Sequence, residues 1–407
     1  MKRVLIHLYA MCSIIPCAGS IELSLEEISA YVRANNRDLV AARWRIAEAD
    51  GRLQQAGKLE NPELEGEFAP NTRGSEYAFR IAFMLRFPLT SRLQLEKDFS
   101  RSELDRAKAE VEDEERRMAL QTEIVAVKVL ALAEEKRLKE KQVANSLELE
   151  DTAARLAQRG EASYLEVDQF ILEAQEISIE ILQIESALAG LFGDLRPLLG
   201  VEGSETIDIT GALAAPRTPT AQALDPSARP DYRAAELRLQ AAEKAFALAK
   251  ANRLEDGGLG VFAEFERSED APEGLEDETV IGFSFSLPLP LWNRNEGAIR
   301  ASEATVARSR DQLAALALRM QSEVEAARLA MTTTAHQHDT IQANLLPAAE
   351  ALEERFRSAQ RRGEASLTDM FRAREKRLQL EASRIRALLE CHLARIRLQF
   401  ALGPPQE

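Results

Sequence analysis

The sequence predicts a mainly α-helical chain with a small β part, organised as two tandem repeats. Charged residues make up 29% of the chain and aromatic residues only 5%, which is typical of long helices and coiled coils rather than of a compact α/β protein. The pentapeptide Arg-Gly-Glu-Ala-Ser occurs at 159–163 and again at 362–366, and the same offset separates the Leu-Gly pairs at 199–200 and 402–403. Two matches in one register indicate an internal duplication. Each repeat also contains two segments in which apolar and polar residues alternate, so we predict four strands.

Residues 1–20 have the features of a secretory signal peptide. They comprise a basic start at Lys2 and Arg3, an apolar run, and small residues at the end. The apolar run is shorter than the roughly 20 residues that a membrane-spanning helix requires, and a lipid-modified cysteine is the less favoured alternative. Removal of this segment leaves Cys391 as the one remaining cysteine, so we expect no intramolecular disulfide.

The first repeat, 21–200, opens with a helical pattern that stops before Asn61-Pro62. In the long helix that follows the strands, an apolar residue recurs at every seventh position from Leu104 to Leu132, which predicts a coiled coil. The predicted elements are a helix from residue 24 to about 58, strands at 62–70 and 77–88, a long helix at 90–158 and a helix at 163–198.

Residues 201–226, rich in glycine, proline and threonine, predict a linker between the repeats. The second repeat, 227–403, opens at Arg229-Pro230-Asp231, and we expect Pro347 to bend its long helix or loosen one turn. The predicted elements are a helix to about residue 255, strands at 259–267 and 279–289, a long helix at 295–361, a helix at 366–402 and a C-terminal tail at 404–407.

The strands have one apolar face and one partly charged face, which is the pattern of a transmembrane β-barrel. A soluble hairpin packed on a core is the alternative, because alternation alone does not distinguish lipid from protein. Four strands do not close a membrane barrel, and open strand edges are not tolerated in lipid. If these strands enter a membrane, several chains must therefore pool them.

Beyond this pattern, the chain resembles the TolC family of outer membrane efflux proteins, in which each of two repeats runs helix, two strands, long helix, helix. The segment Leu-Pro-Leu-Pro-Leu-Trp-Asn-Arg-Asn-Glu-Gly at 287–297 is similar to the branch that serves heavy-metal efflux of the cobalt–zinc–cadmium resistance type. One departure is the segment 253–258, which stands where the family has a proline ahead of the strand.

The resemblance implies a TolC-like architecture in the bacterial outer membrane. It implies a homotrimer with a shared 12-stranded transmembrane β-barrel in the lipid, and an α-helical barrel of coiled-coil helices extending into the periplasm. It also implies two partners, a periplasmic adaptor protein and an inner-membrane pump of the resistance-nodulation-division type.

The resemblance further places the two pentapeptide turns at the periplasmic tip, where acidic side chains constrict and gate the tunnel. Three-fold symmetry converts each carboxylate there into a ring, and charged rings select or attract ions. The alternative for each carboxylate is a solvated charge on a surface helix. Trp292 is a candidate membrane-interface anchor. The candidate tip residues are Gly160, Glu161, Gly363 and Glu364 in the turns, and Glu166, Asp168, Asp369 and Arg372 as the gate.

No catalytic arrangement is present in the sequence: it has no phosphate-binding glycine loop, no nucleophile elbow and no cysteine pair. We predict no enzyme, no cofactor and no metal site. His336 and His338 lie two residues apart on a predicted helix and so point about 200° apart, which does not suit a shared metal ion. We interpret Cys391 and His392 as a packed pair.

The expected function is that of a passive exit duct in a tripartite efflux system, conducting heavy-metal cations. The net charge of −15 argues against a nucleic-acid partner and favours cationic solutes. Two alternatives stay open: an efflux channel of the same family for drugs or organic solutes, and a soluble periplasmic coiled-coil scaffold.

Overall fold

The computed structural model of the protein describes residues 20–72, 74, 76–160, 163–203, 205–216, 223–270 and 274–403. The predicted signal peptide up to residue 19, the candidate tip residue Glu161 and the tail 404–407 lie outside the described residues. The elements in chain order are β1 (Ser20–Ser24), α1 (Leu25–Asn35), α2 (Arg37–Gln55), β2 (Glu63–Pro70), β3 (Tyr77–Phe87), α3 (Arg92–Gln158), α4 (Tyr164–Leu199), β4 (Thr206–Thr210), α5 (Pro230–Ala251), β5 (Gly257–Asp270), β6 (Gly274–Ser286), α6 (Glu296–Thr340), α7 (Leu346–Arg361) and α8 (Leu367–Leu402).

The helix expected from residue 24 to about 58 is two helices, because the backbone is extended at Asn36 (φ −64°, ψ 126°). The Asn36 side chain is 1% exposed, and its amide donates to the carbonyl oxygens of Pro197 at 3.2 Å and Leu198 at 2.8 Å. Both carbonyls lie in the last turn of α4, where intrahelical donors run out, although that of Pro197 also accepts from the amide of Gly200 at 3.2 Å. The break between α1 and α2 therefore supplies a hydrogen-bond donor to the end of a distant helix.

The two Leu-Gly pairs end their helices against the end of α1 and the start of α5, respectively. Gly200 has φ +68°, and a Cβ there would lie 2.4 Å from the carbonyl oxygen of Asn35. A Cβ at Gly403 would lie 3.0 Å from Cγ of Arg229. The Arg229 side chain is 3% exposed and donates to Asp231 at 2.6 Å and to Glu323 at 3.1 Å.

The segment predicted as a linker contains a strand that the sequence did not predict. Strand β4 pairs in parallel with β1, with Ile21 opposite Ile207 and Leu23 opposite Ile209. Both five-residue segments alternate apolar and polar residues, but each is too short for the alternation to identify a strand by itself.

The other four strands form one antiparallel sheet in the order β2-β3-β5-β6. The two hairpins come from different repeats and join through the pairing of β3 with β5. Strand β5 continues to Asp270 and β6 begins at Gly274, so both are longer than the predicted strands 259–267 and 279–289. The edges of this sheet are β2 and β6.

The second long helical segment changes its winding before Pro347, as expected. Residues Ile341–Leu345 form a π-helical turn between α6 and α7. Proline has no backbone N–H and its ring crowds the carbonyl four residues earlier, and a widened turn accommodates both effects. The prediction of a loosened turn at Pro347 is confirmed.

The chain divides into two compact units, each of which takes segments from both repeats. The first comprises Met1–Arg37, Glu115–Gln222 and Glu325–Ala401, and the second comprises Asp38–Glu114, Ala223–Val324 and Leu402–Glu407. In the first unit, Ala131 and Leu138 of α3 pack with Leu378 and Ile385 of α8. The second unit contains the four-stranded sheet.

Among the described helices, none combines the length and the apolar character that crossing a bilayer requires. The described residues likewise contain no group of three or more His, Cys, Asp or Glu side chains arranged to hold a metal ion.

Candidate functional site

The two pentapeptide turns, 159–163 and 362–366, have the same backbone conformation at their glycines. Gly160 has φ +75° and Gly363 has φ +74°, a left-handed conformation that favours glycine and commonly ends helices. The amide of Gly160 donates to Ala157 at 2.9 Å, and that of Gly363 donates to Gln360 at 3.0 Å. The repeated glycine therefore ends α3 and α7 in the same manner.

A serine begins the helix after each turn, and an acidic residue follows it three positions later. The Ser366 hydroxyl accepts from the backbone amide of Asp369 at 3.1 Å, while the Asp369 carboxylate accepts from the backbone amide of Ser366 at 3.4 Å and from its hydroxyl at 2.7 Å. This reciprocal pair is a capping box at the start of α8. These hydrogen bonds from Ser366, chiefly that of its hydroxyl, lower the pKa of Asp369 below its ordinary value, and the charge of Arg372 contributes less.

At the equivalent position of the first repeat, Glu166 makes a different contact. The Ser163 hydroxyl caps α4 by accepting from the amide of Leu165 at 3.2 Å, but the Glu166 carboxylate accepts from the hydroxyl of Thr368 on α8 at 3.1 Å. Thr368 is the neighbour of Asp369. The fold thus brings the two candidate gate carboxylates onto adjacent helix starts.

An apolar cluster holds these helix starts together. Phe170 of α4 and Phe371 of α8 are 2% and 8% exposed, and their rings meet edge to face with centroids 5.1 Å apart. Such a pair contributes about 1 kcal/mol beyond the burial of its area. The other buried members of the cluster are Leu149, Ala153, Ala157, Val167 and Leu367.

The four-stranded sheet has two chemically different faces, defined by the register of its strands. Phe283, for example, lies opposite Val261, which lies opposite Phe83, which lies opposite Leu64. We call this side the apolar face, and its large side chains are 38% to 84% exposed. Its members are Leu64 and Phe68 of β2, Tyr77, Phe79, Ile81, Phe83, Leu85 and Phe87 of β3, Leu259, Val261 and Phe265 of β5, and Ile281, Phe283 and Phe285 of β6.

The opposite side, the charged face, carries most of the ionisable residues of the strands. On this face Arg86 donates to Glu63 at 3.2 Å. Its ionisable side chains that the structure describes are mostly acidic; they are Glu63, Glu65 and Glu67 of β2, Arg80 and Arg86 of β3, Glu264 and Glu266 of β5, and Glu276 and Glu278 of β6.

Residues 226–404 match the family model of the outer membrane efflux proteins. Three solved structures are similar to the chain over nearly its whole length. CusC has a TM-score of 0.76 at 17% identity, covering 94% of this chain and 92% of that chain. VceC of Vibrio cholerae has a TM-score of 0.75 at 18% identity, covering 93% of this chain and 96% of that chain. The CmeC outer membrane channel of Campylobacter jejuni has a TM-score of 0.72 at 15% identity, covering 93% of this chain and 85% of that chain.

The fold is that of the TolC-like outer membrane channels. The predicted fold class, mainly helical with four strands per chain in one sheet, is confirmed. No curated protein sequence matches the chain.

The remaining residues predicted at the tip of this TolC-like fold lie on the surface of the chain. Asp168 and Arg372 are exposed. Glu364 accepts from Arg362 within its own turn at 2.9 Å. Among the described residues no ion pair joins Asp369 and Arg372 within the chain.

A third carboxylate between α4 and α8 escaped the sequence prediction. Burial, and after it the nearby charges of Glu375 and Glu176, raise the pKa of Glu173 to about 7. The three carboxylates line one polar pocket, together with Arg374, whose Nε is buried without a hydrogen-bond partner. Glutamates recur at every seventh position of α4 from Glu166 to Glu180, and this spacing was the available signal.

Cys391 and His392 pack in the interior, as the interpretation of a packed pair expects. Cys391 and His392 are 3% and 7% exposed, and Nε2 of His392 donates to the carbonyl oxygen of Ala214 at 2.8 Å. Trp292, the candidate membrane-interface anchor, follows the sheet and is 95% exposed.

Proposed function

We propose that the protein is an outer membrane efflux channel in which several copies pool their sheets into one transmembrane β-barrel. The observation that carries the proposal is the apolar face, which continues in register over all four strands and is exposed in the single chain. A face of this size on a water-soluble monomer carries a large hydrophobic penalty, at roughly 25 cal/mol per Å². In a bilayer the same face is solvated by lipid.

The unpaired edges of the sheet explain why more than one copy of the chain is needed. Strands β2 and β6 are the edges of the sheet, and an unpaired edge costs several kcal/mol per backbone group in lipid. Because neighbouring strands alternate in direction, β6 of one copy runs antiparallel to β2 of the next. Three copies give the twelve strands that the family resemblance implies, with the charged face toward the lumen.

The pentapeptide turns form the periplasmic opening in this proposal. Glu166 and Asp369 then contribute two rings of carboxylates, with Asp168 beside them, and Arg372 pairs with a carboxylate of the neighbouring subunit. We expect Asp369→Ala and Arg372→Ala to change single-channel conductance and cation preference. Unchanged values in both variants would remove the gate from the proposal while leaving the channel intact.

The channel is passive and catalyses no reaction, since transport energy comes from its partners. We propose that a periplasmic adaptor and an inner-membrane pump deliver the solute, and that the solute is a heavy-metal cation. The segment 287–297 and the excess of glutamate on the charged face support a cationic solute. Organic solutes are the alternative within the same family.

Two experiments test these statements separately. Growth of a deletion strain on a panel of metal salts and dyes tests the solute: sensitivity to metals is expected, and sensitivity to dyes alone would contradict it. Membrane fractionation and a trimer band that is lost on boiling distinguish the channel from a soluble coiled-coil scaffold.

A further inference from the structure

The charged face of the sheet carries one large aromatic residue, Phe262 of β5. Its neighbours across the strands are Ala82 on β3 and Gly282 on β6, the two smallest residue types. The Phe262 side chain is half-buried although it belongs to the water-facing side, and Ala82 beside it is 8% exposed. The ring therefore lies along the sheet instead of standing out from it.

The absence of a side chain at Gly282 makes this orientation possible. A Cβ at Gly282 would lie 2.5 Å from Cζ, 2.7 Å from Cε1 and 3.2 Å from Cε2 of Phe262. All three atoms belong to the ring, so any side chain at position 282 displaces the ring and not the strand. Gly260 differs, because a Cβ there would also meet the backbone carbonyl oxygen of Phe83 at 3.0 Å.

The Arg80 side chain makes a cation–π contact with the Phe262 ring. The guanidinium carbon of Arg80 lies 4.4 Å from the centroid of Phe262, within the range of a cation–π contact. Arg80 is paired across the strands with Glu67 and Glu264. Over the residues that the structure describes, it forms an ion pair with neither, and its side chain extends over the ring.

We propose that Gly282 sets the width of the conduction path through the sheet, by allowing the Phe262 ring to lie flat beneath Arg80. This inference rests on the proposed function, in which the charged face lines the lumen. The arrangement repeats in every copy, so three rings lie flat at one level of the barrel. A side chain at position 282 turns all three toward the axis.

The size of the effect follows from barrel geometry. Twelve strands about 4.8 Å apart and tilted by about 40° place the backbone about 12 Å from the axis. Three Phe262 rings turned toward the axis of a barrel of this size reduce the open radius of the lumen at that level by about 30%. Because the size of a flexible polymer grows roughly as the square root of its length, the largest polymer admitted falls about twofold in mass.

The test measures polymer entry from the sheet side of the full-length channel in planar bilayers. Poly(ethylene glycol)s of graded mass are added on that side alone, and the mass at which they no longer alter the current reports the width of the sheet segment. Gly282→Val is expected to lower this cut-off about twofold, and the double variant Phe262→Ala/Gly282→Val to restore it. Phe262→Ala alone is expected to change it little, because the flat ring occupies little of the lumen.

Gly66→Val is the matched control, because a Cβ there meets nothing within 4 Å and position 66 lies on the apolar face. An unchanged cut-off in Gly282→Val would overturn the inference, as would a lowered cut-off that the loss of the Phe262 ring does not restore. If Gly282→Val forms no channels, the double variant alone decides: recovery of channels supports displacement of the ring, and continued failure opposes it. A wild-type protein that forms no channels contradicts the proposed function itself.

Discussion

The environment of Glu173 predicts that the helix contact between α4 and α8 weakens as the pH rises. The folded chain raises the pKa of Glu173 from 4.5 to about 7, so the folded state holds a proton that the unfolded chain has released. The stabilisation of the folded state by the protonated Glu173 carboxyl is fully present below pH 4.5 and is lost as the pH rises to about 7. One pKa unit corresponds to about 1.4 kcal/mol, which gives about 3 kcal/mol, or about 2 kcal/mol after allowing for partial exposure.

Glu173→Gln removes this titration and keeps a neutral side chain of the same size. We expect the variant to match the wild type at pH 4 and to be more stable by about 2 kcal/mol per chain at pH 8. Thermal melting of the detergent-solubilised protein, followed by helical circular dichroism across this range, measures the difference. Glu180→Gln is the control, because Glu180 lies seven residues after Glu173 on α4 but forms an ion pair with Lys139 of α3. If the difference in melting temperature between the wild type and Glu173→Gln were the same at every pH, the reasoning would be refuted.

Two further predictions concern buried polar groups. Asn36→Ala removes the donor to two carbonyls at the end of α4 and is expected to cost about 1–3 kcal/mol, seen as a lower melting temperature, whereas Asn35→Ala, at an exposed neighbour, should have little effect. Burial lowers the pKa of His392, an effect that the Ala214 carbonyl opposes and the charges of Arg395 and His338 reinforce. The folded state therefore binds this proton less readily, and wild-type stability falls as the pH drops below about 6.5. His392→Gln should be less sensitive to acid between pH 7 and 5, and an identical acid response in the two proteins would exclude His392 as its source.

Local signals in the sequence accounted for the features that depend on neighbouring residues. The period-two alternation depends only on the residues of each strand, and the four-stranded sheet followed from it. The widened turn before Pro347 follows from the chemistry of proline alone. The Ser-x-x-Asp pattern from Ser366 to Asp369 is also a local signal, and it accounts for the capping box at the start of α8, while the gating role of Asp369 stays a prediction.

Features that depend on distant residues did not follow from the sequence. The break at Asn36 is explained by carbonyls at Pro197 and Leu198, far along the chain. The raised pKa of Glu173 depends partly on Glu375 of α8, in the other repeat. The β1–β4 pairing joins two five-residue strands, whose alternation is too short to identify either one alone.

The orientation of the sheet is tested most directly by the accessibility of successive positions of β6. In a Cys391→Ser background, single cysteines at 283, 284, 285 and 286 are exposed in whole cells to a membrane-impermeant thiol reagent. The proposed channel predicts alternation: Ser284→Cys and Ser286→Cys react through the water-filled lumen, whereas Phe283→Cys and Phe285→Cys are protected by lipid. Uniform labelling of all four positions, with the protein in the soluble fraction, would contradict the membrane channel.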